Sequence, residues 1–170
     1  MRVRILTATL LAAALASCAT TERISAAGDV HSLLIAIRDD DHKAFNAHVD
    51  RPALEAQIQA KMVDQARRSN LNDGIKGLGV AFSGALAHAA GDLFIQPEVF
   101  RAVADYYGYK PDTPIPNTLE IASALRPVGD GKVCATRGKK GPCLLTFADE
   151  AGVWRLVSFD GDASMLRLGR

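Results

Sequence analysis

The sequence predicts an α+β domain. About four N-terminal helices should pack on one face of a C-terminal antiparallel β-meander of three to four strands. Three observations carry this expectation. Apolar residues recur at helical spacing from Val30 to Tyr107. A connector over residues 109–117, holding Pro111, Pro114 and Pro116, then breaks the pattern. Beyond it the apolar period drops towards two, with Gly-containing turns between the runs.

The first helix is expected to open at Asp29, a good N-cap residue, and to bury Val30, Leu33, Leu34 and Ile37. The Asp39-Asp40-Asp41 run breaks that face and can cap a short second helix carrying Phe45 and Val49. Asp50 and Pro52 mark a third helix, since proline is tolerated in a first turn. Leu54, Ile58, Met62 and Ala66 line its inner side, with Asp64 free to pair with Arg67 or Arg68. From Ile75 to Ile95 another apolar stripe appears: Ile75, Leu78, Phe82 and Leu86. Gly77, Gly84 and Gly91 recur along it every seven residues. An interior glycine costs a helix about 1 kcal/mol against alanine, so close packing is the reading adopted over a membrane-active glycine face. Pro97 and Glu98 open the next helix, with Phe100, Val103, Ala104 and Tyr107 inward and Gly108 as its stop.

In the second part, Leu119, Ile121 and Leu125 alternate like a strand, though a short helix also suits them. Residues 133–136, 143–147 and 153–159 read as strands, with the last turn over residues 149–152. On the final strand, Trp154, Leu156 and Ser158 should share one face, and Val153, Val157 and Phe159 the other. Cys134 and Cys143 flank a Gly/Lys turn, and folding between Gly138 and Lys139 sets them opposite each other. A disulfide is expected, stabilising by about 2–3 kcal/mol in the chain-entropy model. Pro142 has no N–H and favours a four-residue loop over residues 137–140.

The N-terminus is an address. Arg2 and Arg4 precede an apolar run, Ile5 to Ala16, of the length of a signal-peptide core and too short to span a bilayer. Leu15-Ala16-Ser17-Cys18 follows and resembles the lipobox of bacterial lipoproteins. The resemblance implies cleavage before Cys18, which would then carry acyl chains. Two chains already suffice for a firm anchor. Ala19 stands where an aspartate would signal inner-membrane retention, which implies the outer membrane. The expected organisation is a signal peptide over residues 1–17, a lipidated coil tether over 18–28 and a single domain over 29–170. Its helical part would span 29–109 and its sheet part 118–160. Without Arg2 and Arg4 the chain holds 18 basic and 19 acidic residues, a net charge near −1. Nothing there draws nucleic acid, and aromatic residues, at 6%, are too few for a stacking platform.

The string from Ala36 to Ile58, with its His48-Val49-Asp50-Arg51-Pro52-Ala53-Leu54 turn, resembles the opening of a bacterial domain family of unknown function. Members are exported or membrane-tethered, and end in a Trp-bearing strand similar to Val153 to Val157. The resemblance implies no activity. The layout is also similar to cone-shaped α+β domains of the nuclear-transport-factor type, which implies a small-ligand cavity between helices and sheet. Phe82, Leu86, Tyr106 and Trp154 would line it.

The search for chemistry ends without a catalytic or metal motif. His31, His42, His48 and His88 form no zinc-binding spacing. His48 with Asp50 suggests a base and its orienting carboxylate, but Asp50 is better placed as a helix cap. Ser83-Gly84 lacks the rest of a nucleophile elbow, and the glycines from Gly74 to Gly79 lack a Walker lysine. Asp39 to Asp41, and Asp160 with Asp162, are weak calcium hints that capping and solvation explain. The sequence therefore favours a non-enzymatic envelope lipoprotein that serves as a scaffold or binds a protein partner. It expects no cofactor and no nucleic acid. A small-ligand carrier is the second reading and an enzyme the third.

Overall fold

The computed structural model describes residues 2–68, 83–106, 109–136 and 141–160. Side chains are described for these apart from residues 2–19, 66, 83–87 and 106. Among the described residues, six helices precede four strands: α1 Arg2–Asp39, α2 His42–Ala47, α3 Arg51–Arg68, α4 Ser83–Phe94, α5 Pro97–Tyr106 and α6 Thr118–Ala124, then β1 Leu125–Gly129, β2 Lys132–Thr136, β3 Cys143–Glu150 and β4 Val153–Phe159. The strands form one antiparallel sheet in the order β1-β2-β3-β4, the expected meander. The molecule is an α+β fold.

α1 is the largest departure from expectation. It does not open at Asp29. It runs through the segment expected to be a coil tether, and Asp29 lies well inside it. Its buried face is built from Ala26, Ala27, Val30, Leu33 and Ala36, at 3% exposure or less apart from Val30 at 8%. That spacing of three and four continues the Val30–Leu33 stripe backwards through alanines. The alanines are apolar enough to pack but too small to stand out among the polar residues around them. α1 contacts β1, β2 and β4 and also touches α2, α5 and α6.

The capping chemistry is local and follows the sequence. Asp41 accepts from the Ala44 backbone N–H at 3.0 Å and starts α2. Asp50 does the same for α3 through Ala53, also at 3.0 Å. Phe45 of α2 is fully buried and meets Phe100 of α5 edge-on, with ring centroids 5.3 Å apart. Between α2 and α3 the chain forms a parallel bridge with β4. The Leu156 N–H donates to the His48 carbonyl at 2.9 Å, and the Asp50 N–H donates to the Leu156 carbonyl at 3.0 Å. Leu119 and Ile121 belong to the helix α6, not to a strand. Asn117 and Glu120 form a reciprocal capping box there, which commits the segment to a helix.

Two register shifts alter the sheet. Thr146 pairs with Ser158 but Phe147 pairs with Leu156, so Val157 falls outside the pairing. This bulge reverses the alternation beyond it. Phe159, expected opposite Trp154, therefore packs against the same core as Trp154 and Leu156. The second shift lies between Ala135 and Thr136. Cys134 pairs with Thr146, and Cys143 with Thr136. The two cysteines are diagonal neighbours, not directly opposed ones, yet their Cα atoms stand 5.4 Å apart and the disulfide is present. The loop 137–140 lies outside the described residues. Pro127 sits in the edge strand β1, where a missing N–H is tolerated. The two-residue turn Ala151-Gly152 takes positive φ at both positions, 55° and 87°, the conformation that suits a right-twisted hairpin.

Candidate functional site

Among the described residues, three side-chain groups have the composition of a site. The first joins α1, the α2–α3 turn and β4. The Trp154 indole N–H donates to Ser25 Oγ at 3.1 Å, and the Trp154 backbone N–H donates to Asp29 Oδ2 at 2.8 Å. The other Asp29 oxygen stands 3.7 Å from His48 Nδ1. That nitrogen is buried and has no hydrogen-bond partner among the described residues. A serine, a histidine and an aspartate are thus gathered around one tryptophan. The geometry is that of a joint. The 3.7 Å between Asp29 and His48 is longer than a hydrogen bond. Ser25 and Asp29 are both engaged by Trp154.

The second group clamps α4 to α3. His88 Nδ1 and Glu55 Oε2 lie 2.9 Å apart. The hydrogen bond to Glu55 raises the His88 pKa above its ordinary value, with the charges of Glu55 and Asp92 adding to it. Arg51 donates to the Ile95 carbonyl at 2.7 Å and to Asn46 at 3.1 Å, and lies 3.7 Å from Asp92. Gly91 faces Glu55 so closely that an added Cβ would stand 2.6 Å from the Glu55 Cγ. Close packing is thus the role of this glycine. Gly77 lies outside the described residues, as do the surroundings of Gly84.

The third group is Asp40, His42 and Glu98, whose donor atoms lie within 4.8 Å of one another. His42 Nε2 is 3.2 Å from Glu98 Oε1, and all three side chains are exposed. Arg101 approaches Asp40 at 3.9 Å. Next to it, Arg38 donates to Asp39 at 2.6 and 2.9 Å and holds that carboxyl below its usual range. Of these cations, Arg101 competes with any metal for the Asp40 carboxylate. An open depression of about 420 Å³ lies beside this group, lined by Asp92, Leu93, Gln96, Glu98 and Val99.

Of the four residues expected to line a cavity, Trp154 is 3% exposed and packed in the core. Phe82 and the side chains of Leu86 and Tyr106 lie outside the described residues. So does the side chain of Cys18, whose backbone is part of α1. The Cys134–Cys143 bridge lies under Arg126, whose guanidinium nitrogen is 3.8 and 3.6 Å from the two sulfurs. His48 faces Asp29, while Asp50 serves as the cap. Sequence reasoning missed Ser25 and Asp29, because their partner Trp154 is over 120 residues away. The only available signal was the helical spacing of the alanines beside them. Among the described residues no helix is long and apolar enough to cross a membrane.

Fold and joints together define a small α+β domain whose N-terminal helix is sewn to its last strand. The chain belongs to a family described as Protein of unknown function (DUF2939), which it matches over residues 10–103. No curated protein matches it, and no solved structure does.

Proposed function

We propose that this protein is a bacterial envelope lipoprotein, cleaved after residue 17, acylated on Cys18 and held at the periplasmic face of the outer membrane. Its domain acts as a scaffold that binds an envelope protein, without chemistry of its own. The observation that carries the reading is the use made of Trp154. The residue that a carrier would spend on its cavity wall is instead enclosed between α1 and β4, with both of its N–H groups satisfied by α1. The His88–Glu55 contact supports the same reading, because it ties α4 to α3.

Native mass spectrometry of the Cys18→Ser domain, exported through a cleavable signal and purified from periplasm, tests this reading. A bare polypeptide two hydrogen atoms lighter than the reduced chain is the expected result. A discrete noncovalent adduct would overturn the scaffold in favour of a carrier. Mass analysis of the N-terminal peptide from the membrane fraction tests the anchor separately. An unacylated Cys18 there would refute lipidation.

A further inference from the structure

A tether of coil would let the domain drift from its anchor, reaching about 15–20 Å in any direction. The observed helix removes that freedom. Cys18 precedes Ser25, which already bonds to the sheet, by seven residues, or about 10 Å of helix. Within that interval the backbone is α-helical, and at its end Ala26 and Ala27 are fully buried. The end of the domain from which α1 leaves towards Cys18 is also defined. Trp154, which Ser25 and Asp29 hold, is the second residue of β4, next to the Ala151-Gly152 turn. The β1–β2 turn lies beside that one, since the Asp149 N–H donates to the Gly131 carbonyl at 2.9 Å. Two of the exposed large apolar residues lie at this end: Ile24 of α1, 54% exposed, and Val128, 45% exposed and adjoining the β1–β2 turn. The turns carry Asp130, Lys132 and Glu150 and so have no cationic bias towards anionic lipid.

We infer that the mature domain is held directly against the bilayer, with its two hairpin turns, Ile24 and Val128 facing the lipid headgroups. The inference rests on the lipid-anchor reading. α1 sets the orientation as a rigid arm, and the apolar side chains meet the interface. The partner of this surface is the lipid headgroup layer, so a protein partner must bind the remaining faces. Attachment should not depend on salt, because no basic patch takes part.

The test uses the full acylated protein in phosphatidylethanolamine/phosphatidylglycerol vesicles with a headgroup-linked quencher. With Cys18 acylated and Cys134 bonded to Cys143, a cysteine introduced at an exposed site is the reactive thiol. Lys132→Cys places a fluorophore beside the turns. Lys43→Cys places one on α2, beside the far end of α1, where the Asp41 N–H donates to the Ala36 carbonyl, about 16 Å along the helix from Ser25. Quenching should be several-fold stronger at position 132 than at position 43. A Gly/Ser segment inserted between Ala19 and Thr20 should abolish the difference. Equal quenching in the uninserted protein overturns the inference, as does a difference that survives the insertion. The mass of the N-terminal peptide from the same samples separates the two failures. Acylated protein with equal quenching refutes only the orientation, whereas an unacylated Cys18 refutes the anchor with it.

Discussion

α1 and α4 are both rich in alanine and contain glycine, yet they are fixed in different ways. α1 gives five residues to the core and receives two hydrogen bonds from Trp154. The described part of α4 shows much of its apolar surface to solvent, with Leu93 68% and Phe94 43% exposed. It is held to α3 by His88–Glu55, by Arg51 and by the close approach at Gly91. Burial of alkyl surface is indifferent to pH and to moderate salt, while contacts between half-exposed charges depend on both. One fold thus holds a helix that conditions should not loosen and another that they should. Under the proposed anchoring at Cys18, the helix that carries the anchor is the unconditional one.

The contrast breaks first at Trp154. Trp154→Ala removes a large core side chain and leaves Ser25 and the surrounding apolar surface without their partner. The expected loss is about 3–5 kcal/mol, read from the midpoint of urea unfolding. Trp154→Phe keeps most of the bulk but loses the indole N–H, and should cost about 1 kcal/mol beyond the volume change. A loss under about 1 kcal/mol for the alanine variant would mean that α1 is not fixed through this residue. Next comes the sheet's own fastener. Replacing Cys134 and Cys143 together by serine should cost about 2–3 kcal/mol. For a domain of this size that lowers the melting temperature by about 5–10 °C. Reduction of the unsubstituted protein should give the same shift.

These two sites also show what the sequence conveys. The disulfide was legible because its partners lie on neighbouring strands of one hairpin, and so were the Asp41 and Asp50 caps, each acting on a residue three positions on. The meander followed from its turns. The Val157 bulge was not legible, since the alternation Val153–Phe159 reads as an unbroken strand until its pairing with β3 is known. The start of α1 was not legible because Asp29 has the character of an N-cap residue. Tertiary contact overrode that local signal: the Asp29 carboxylate is used by the Trp154 backbone, 125 residues on, and the helix passes through. The Glu55–His88 clamp escaped for a related reason, as two polar residues 33 apart, one exposed and one half-buried, leave no periodic trace.

The α3–α4 joint offers a sharper test at smaller effect. Gly91→Ala should gain up to about 1 kcal/mol of helix propensity. Its methyl group, however, would meet the Glu55 Cγ at 2.6 Å, within the part of that side chain near its own backbone. Overpacking costs about 1–3 kcal/mol, so a net loss of about 1 kcal/mol is expected. Glu55→Ala in the same chain removes the obstacle, and the double variant should be more stable than Gly91→Ala alone. Additive effects of the two substitutions would mean that α4 does not approach α3 at this glycine.

The smallest effect comes from the same joint and separates the two helices by their response to pH. Glu55 raises the pKa of His88, so the folded protein binds the imidazole proton more tightly than the unfolded chain does. The resulting stabilisation is fully present below the ordinary imidazole value of 6.5 and is lost as pH rises through the higher folded value. The His88–Glu55 contribution should therefore decline across the range just above 6.5. His88 is largely exposed and the effect should be modest and weaken with added salt. Stability profiles of the unsubstituted protein and His88→Gln, measured in low and high salt, give the comparison. The two should differ at the acid end and converge towards the alkaline end. Amide exchange should place the change in α3 and α4, with the protection of α1 unaltered. A pH-dependent loss of protection spread equally over α1 would mean that the two helices unfold as one cooperative unit, and that their different fastenings do not give them separate stabilities.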